Sequence, residues 1–282
     1  MTTYESMLSA YSEKNGLSSS NAEQEVCQKI TLAGLYRGGF FDHAAFYGGT
    51  CLRLFHGLNR FSEDMDFSLT EKRDDVHLEN YFDAIRQEFS IAGFEVIITK
   101  KEKKTFGRVE SAFLKENTEA YDIKFQTKNT VKVKIELDTD PPLQFNTEQK
   151  LLMQPYSFMT RCFTLPDLFA GKMHALLYRS WQRRVKGRDW YDFEWYIRKG
   201  VPLDFRHLQA RIKEFNGEEM GIDDFRTLLR KKIVSTDIKS VIQDVLPYID
   251  RGQSKALEIW STDYFLQLAD MIKIETTKNN GC

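Results

Sequence analysis

The chain has 282 residues, of which 41% are apolar and 29% charged, and its formal net charge is −1. That composition gives a globular chain with room for a sizeable core, excludes an intrinsically disordered one, and leaves no overall positive field to draw the molecule onto a polyanion. No apolar run approaches the roughly 18 residues of a membrane-crossing helix, and the N-terminal stretch lacks the basic and apolar regions of a secretory signal. Cys27, Cys51, Cys162 and Cys282 are too scattered for a metal motif or a disulfide framework. A cytoplasmic protein with no membrane partner is the expectation.

In chain order, residues 22–36 place Val26, Ile30, Ala33 and Leu35 largely on one helical face, with Asn21 as the expected N-cap and Gly38 and Gly39 as the stop. AAFYGG predicts a short buried strand entering a glycine turn, TCLRLFHGL the helix after it, and MDFSLT an alternating strand. HLENYFDAIRQEFSIAG predicts an amphipathic helix ending at Gly93, and FEVIITKKE a further strand. In VKVKIELD, Val131, Val133, Ile135 and Leu137 share one strand face and Lys132, Lys134, Glu136 and Asp138 the other. Pro141 and Pro142 close that strand, and FMTRCFTL predicts another. From Pro166, well suited to a first helical turn, the pattern becomes helical over 166–180, 189–199, 204–215, 222–233, 237–249 and 262–274. The expected class is α+β: a mixed sheet with flanking helices, then a helical C-terminal region. The expected boundaries are an N-terminal helical segment over 1–43, a core over 44–165 and a C-terminal domain over 166–282.

Chemistry concentrates in FYGGTCLRLFHGLNRFSEDMDF, from Phe46 to Phe67. On a strand, Asp64 and Asp66 point to the same side. Adjacent carboxylates repel and need a cation. Mg²⁺, or Mn²⁺ in its place, suits two such oxygen donors with substrate phosphates completing the shell. Gly48, Gly49 and Thr50 lie where a glycine turn opens a helix, a generic cradle for phosphate. Arg53 and Arg60 add positive charge that could pair with phosphates or with the acids, and Ser62 shares the side of Asp64 if the chain is already extended there. Two-metal phosphoryl transfer needs a further acid on a neighbouring strand. Glu136 and Asp138 both qualify, and alternation does not choose between them. Two local basic runs, Tyr178 to Arg188 and Lys100 to Lys104, could guide a polyanion or simply be solvated. Tyr178, Trp181, Trp190, Tyr191 and Trp195 could stack on bases, but those between 190 and 197 recur at the spacing of core residues. His43, His56, His174 and His207 show no ligand spacing.

The segment GGTCLRL…RFSEDMDFSL, with DLFAGKMHALLYR and KGRDWYDFEWYI downstream, resembles the AbiEii family of nucleotidyltransferase toxins. These are relatives of the mycobacterial MenT toxins within the DNA polymerase β-like nucleotidyltransferase superfamily. The order and spacing cover about residues 44 to 196. The resemblance matches Ser62, Asp64 and Asp66 to the family's Ser-x-Asp-x-Asp segment, Lys172 to its lysine, and Asp189, with Asp192 as near neighbour, to its later aspartate. It implies a polymerase β-like core, a nucleoside triphosphate substrate, the 3′ end of a tRNA as favoured acceptor, and a cognate antitoxin in a type IV system. Asp64, Asp66, Asp138, Lys172 and Asp189 are then the expected catalytic set. The compact ammonium of Lys172 suits a triphosphate. Asp189 would hold Lys172 or an arginine, cap its helix, or do both. Transfer to a small molecule or a protein side chain, or a non-catalytic nucleotide- or RNA-binding module, are the other readings of the same residues.

Overall fold

The computed structural model describes residues 3–12, 18–101, 118–126, 130–179, 185–249 and 251–276. The chain divides into two compact units, one of Met1–Gly57, Phe61–Pro141 and Thr147–Phe163, the other of Leu58–Arg60, Pro142–Asn146 and Thr164–Cys282.

In the first unit the chain runs α1 (Thr3–Ser12), α2 (Ser19–Arg37), β1 (Ala44–Tyr47), α3 (Gly48–His56), β2 (Asp64–Leu69), α4 (Phe82–Ile91), β3 (Val96–Lys100), β4 (Thr118–Gln126), β5 (Thr130–Asp138), β6 (Thr147–Leu152) and β7 (Phe158–Phe163). The strands form one seven-stranded sheet in the order β3-β4-β5-β2-β1-β7-β6. It is mixed: β2 runs parallel to β5 and β1 parallel to β7, while the other neighbours are antiparallel. Period-two alternation gives the central strands one apolar face. Phe46, Met65, Phe67, Ile135 and Leu137 are all fully buried, and the rings of Phe46 and Phe67 stack with centroids 4.9 Å apart.

Helix α2 buries Val26, Ile30, Leu32, Ala33 and Leu35 completely. It begins three residues earlier than the sequence pattern indicated. Ser18, in extended backbone, is its N-cap, and the Ser18 hydroxyl accepts the Asn21 N–H at 3.3 Å. Asn21 thus supplies the capped amide and not the cap. A Cβ on Gly34 would stand 2.6 Å from the Ile85 Cα in α4, so glycine there permits close approach of the two helices.

Two strands of the seven-stranded sheet fall outside the expected elements. β4 carried a readable signal, since Tyr121, Ile123 and Phe125 alternate and are buried. β6, TEQKLL at the sheet edge, has too few apolar residues to alternate.

The second unit holds α5 (Leu165–Tyr178), α6 (Gly187–Lys199), β8 (Leu203–Asp204), α7 (Phe205–Asn216), α8 (Ile222–Ser235), α9 (Ile238–Val245), α10 (Thr262–Asp270) and β9 (Ile274–Glu275). β8 and β9 form a short parallel pair. Pro166 occupies the first turn of α5 as expected. The helix expected over 237–249 is shorter, because Pro247 has no N–H to continue it and residues Leu246–Tyr248 tighten into a 3₁₀ turn. That expected over 262–274 ends at Asp270, and Ile274 enters β9 instead. The aromatic run of α6 is core: Trp190, Phe193, Trp195 and Tyr196 are buried.

Gly34→Ala forces α2 and α4 apart. It is expected to cost about 1–3 kcal/mol, read as a lower denaturant midpoint. An unchanged midpoint would mean that the contact yields freely.

Candidate active site

The parallel register of β2 and β5 sets Asp64 beside Lys134, Asp66 beside Glu136 and Ser68 beside Asp138. Register partners on paired strands point to the same side, so Asp64, Asp66, Lys134 and Glu136 share the face opposite the apolar core. Tyr47 pairs with Asp66 in the β1–β2 ladder and stands on that face too. Register thereby separates the two acids that alternation could not. Glu136 adjoins Asp66. Asp138 lies two pairs further along, beside Ser68, where its carboxylate accepts the Asp140 N–H at 3.1 Å and helps turn the chain.

Lys134, to which sequence reasoning gave no role, has its Nζ 2.6 Å from Glu136 Oε1. Burial alone would lower its pKa. The carboxylates of Asp64, Glu136 and Asp66 outweigh burial, and the net shift is upward. The alternation that picked out Glu136 places Lys134 on the same face, and that was the available signal.

The glycine turn is built against these acids. Gly48 has φ of +82°, and a Cβ there would lie 2.3 Å from Asp66 Oδ2. Both its backbone and its missing side chain are therefore required. Gly49 and Thr50 lie in the first turn of α3 and are buried. The Thr50 hydroxyl donates to the Asp64 carbonyl at 2.5 Å, fixing the start of α3 to the start of β2. Ser62 is buried, and its carbonyl accepts from Gln28 Nε2 at 2.9 Å.

Both arginines pair with acids that lie outside β2. Arg53 Nε lies 2.7 Å from Glu25 Oε1 in α2. Arg60 belongs to the second unit and is 2% exposed. It grips Asp192 with both ends of its fork, Nε to Oδ1 at 2.5 Å and Nη2 to Oδ2 at 2.7 Å. A fully buried bidentate pair is not placed to meet a phosphate. Arg60 fixes Asp192 instead.

Lys172 on α5 and Asp189 on α6 also lie in the second unit. Lys172 Nζ is 2.8 Å from Asp192 Oδ2 and 3.3 Å from Asp189 Oδ1, and Arg179 Nη1 is 3.3 Å from Asp189 Oδ2. Asp189 does not cap α6. That helix starts at Gly187, whose N–H goes to Asp244 Oδ2 at 2.8 Å. As the third residue of α6, Asp189 directs its carboxylate at Lys172 and Arg179. Asp192 has no exposed side-chain surface. Burial would raise its pKa, but Arg60 and Lys172 hold it below the usual carboxylate range.

The residues thus form two groups: an acidic strand face with its glycine turn in the first unit, and a lysine–arginine–aspartate network in the second. Of the basic runs, residues 180–184, Trp181 among them, and residues 102–104 lie outside the described residues.

Among the described residues no three His, Cys, Asp or Glu side chains stand ready as a metal cage. The donors on the strand face nonetheless suit Mg²⁺, a hard ion that takes one or two carboxylates and completes its shell with water and substrate. Gly48 also leaves one side of the Asp66 carboxylate uncovered by any side chain of its own.

Asp192→Asn leaves Arg60 buried without its charge partner, and is expected to cost about 3–5 kcal/mol at neutral pH. Because the folded pKa of Asp192 is depressed, this contribution is fully present above the ordinary carboxylate value of about 4. It is lost as pH falls through the folded pKa. Denaturant melts of the two proteins should therefore converge as pH is lowered below about 4, and a constant gap would refute the linkage.

The model of the nucleotidyl transferase AbiEii toxin family, type IV toxin–antitoxin system, matches residues 30–267. MenT4, a nucleotidyltransferase toxin of Mycobacterium tuberculosis, has a similar structure with a TM-score of 0.56 at 14% identity, covering 96% of this chain and 94% of that one. JHP933 of Helicobacter pylori is similar with a TM-score of 0.51 at 20% identity, covering 90% and 91%. At these identities the likeness is one of fold. No curated protein matches the chain. With over half its length matched by the family model, the chain belongs to the AbiEii family of nucleotidyltransferase toxins of type IV toxin–antitoxin systems.

Proposed function

We propose that the protein transfers a nucleotide from a nucleoside triphosphate to an acceptor hydroxyl with the help of Mg²⁺, and that its favoured acceptor is the 3′ end of tRNA. The observation that carries the reading is the register that lines up Asp64, Asp66 and Glu136 on one sheet face beside the Gly48 turn. In this reading those three acids hold the metal, and Asp138 serves the turn after β5. Mg²⁺ held there, as one ion or two, would supply charge neutralisation for the triphosphate and acidify the acceptor hydroxyl.

The protein's own part is positioning. The backbone N–H groups at the start of α3 are unpaired within the helix and suit phosphate oxygens. Thr50 and Ser62 act from behind, by fixing α3 and the approach to β2. Within the second unit, Asp189 and Asp192 hold the Lys172 ammonium and Arg60 anchors Asp192; the family resemblance supports Lys172 as a triphosphate-binding lysine. The acceptor oxygen attacks the α-phosphorus, the bond to the bridging oxygen breaks, pyrophosphate leaves, and the hydroxyl proton passes to solvent.

Family membership supports tRNA as acceptor and a cognate antitoxin as partner. The basic run from Tyr178 to Arg188 suits a phosphate backbone, with contacts that weaken as salt rises. No described helix is long and apolar enough to cross a membrane, and the cytoplasm is where triphosphates and tRNA meet.

Incubating total tRNA with Mg²⁺ and each of the four α-³²P-labelled nucleoside triphosphates tests the reading. Wild type is expected to label tRNA, and Asp66→Ala to lose roughly 10²–10³-fold. Label appearing only on protein or on small molecules would remove tRNA as acceptor. Gly48→Ala pushes on the Asp66 carboxylate and should lower transfer by about 10²-fold while every carboxylate is retained. Unchanged transfer in that variant would detach the turn from the chemistry.

A further inference from the structure

Lys134 has no task in the reaction just described, yet it stands among the acids. Its ladder neighbours are Asp64 on β2 and Asp122 on β4. Asp122 is engaged by other lysines, with Lys132 Nζ 2.9 Å from Oδ2 and Lys101 Nζ 3.7 Å from Oδ1. The Lys134 ammonium instead turns to Glu136, at 2.6 Å, in the field of Asp64 and Asp66. Three carboxylates at adjoining positions of two neighbouring strands repel one another, and an ammonium set among them offsets that repulsion. The same ammonium holds Glu136. Lys134 Nζ lies 2.6 Å from Glu136 Oε1, so an ion that uses that oxygen must displace the ammonium.

We infer that Lys134 is a resident counter-ion of the metal site, which holds the face of Asp64, Asp66 and Glu136 together without metal and competes with the metal for Glu136. The inference rests on those acids being the metal ligands. It makes Lys134 a positioning residue that sets divalent-ion affinity, and its loss has two effects of opposite sign. The metal-free protein is weakened by unrelieved repulsion, and the metal binds more tightly because its competitor is gone. A lysine that served only packing would do the reverse on the second count, since a disturbed site binds metal less well.

Mn²⁺ alone is the probe, titrated into the full-length protein without nucleotide and followed by the paramagnetic resonance of the free ion. Wild type, Lys134→Met, Lys134→Gln, Lys134→Arg and Asp66→Ala are compared, with thermal melts in chelator and in Mn²⁺. Both neutral variants are expected to bind Mn²⁺ about tenfold more tightly than wild type, the order of one screened unit charge at close range. They should melt lower in chelator and recover in Mn²⁺, while Lys134→Arg, which keeps the charge, stays near wild type. Affinity equal to or weaker than wild type in the neutral variants, with Mn²⁺ bound by wild type and lost in Asp66→Ala, overturns the inference alone. Neutral variants that stay unfolded even in Mn²⁺ place Lys134 in the fold and also overturn it. Failure of wild type to bind Mn²⁺ overturns the metal-site reading and this inference together.

Discussion

Two adjacent strands running in the same direction set the terms for the first unit. The parallel pairing of β2 with β5 puts Asp66 beside Glu136 and Asp64 beside Lys134. It fixes in one step which side chains are buried apolar and which meet as charges. Burial of Met65, Phe67, Ile135 and Leu137 on one face holds the register, because a slip of one residue would send carboxylates into the core. The energy that keeps the acids together is thus largely hydrophobic and lies behind them. The Thr50 hydroxyl on the Asp64 carbonyl and the bare Gly48 against the Asp66 carboxylate tie the turn to the same strand. Local chemistry and long-range packing agree there.

The second unit solves a different electrostatic problem. Asp192 has no exposed side-chain surface and receives both Arg60 and Lys172. Buried ion pairs of this sort contribute little net stability against an apolar replacement, but they fix geometry and penalise any arrangement that leaves one charge alone. Lys172 is held between Asp189 and Asp192, and Arg179 shares Asp189. A lysine fixed by two carboxylates has few rotamers left to it.

Period-two alternation made β2, β5 and their charged faces readable from sequence, and helical periodicity gave most of the second unit. The choice between Glu136 and Asp138 was not readable, because both have the same parity on one strand and only the partner strand's register separates them. The partners of the arginines were not readable for a related reason. A guanidinium near a glycine turn is equally consistent with a phosphate and with a distant carboxylate, and Glu25 and Asp192 lie 28 and 132 residues away in sequence. Local pattern could not show that the three residues Leu58–Arg60, between a helix and a strand of the first unit, are grouped with the second. β4 was missed although its alternation is present; β6 was missed because an edge strand with polar residues carries no pattern to find.

The contact between Gly48 and the Asp66 carboxylate bears on how such a site can drift over generations. Asp66 cannot lengthen to glutamate without reaching further into the space that Gly48 leaves bare, and Gly48 cannot gain a side chain without evicting the oxygen. The two positions, 18 apart in the chain, therefore constrain each other as a lock constrains its key. A saturating substitution library would find both intolerant, one through volume and the other through charge. Any lineage that loses the glycine first must move the Asp66 carboxylate, even with every acid still in place.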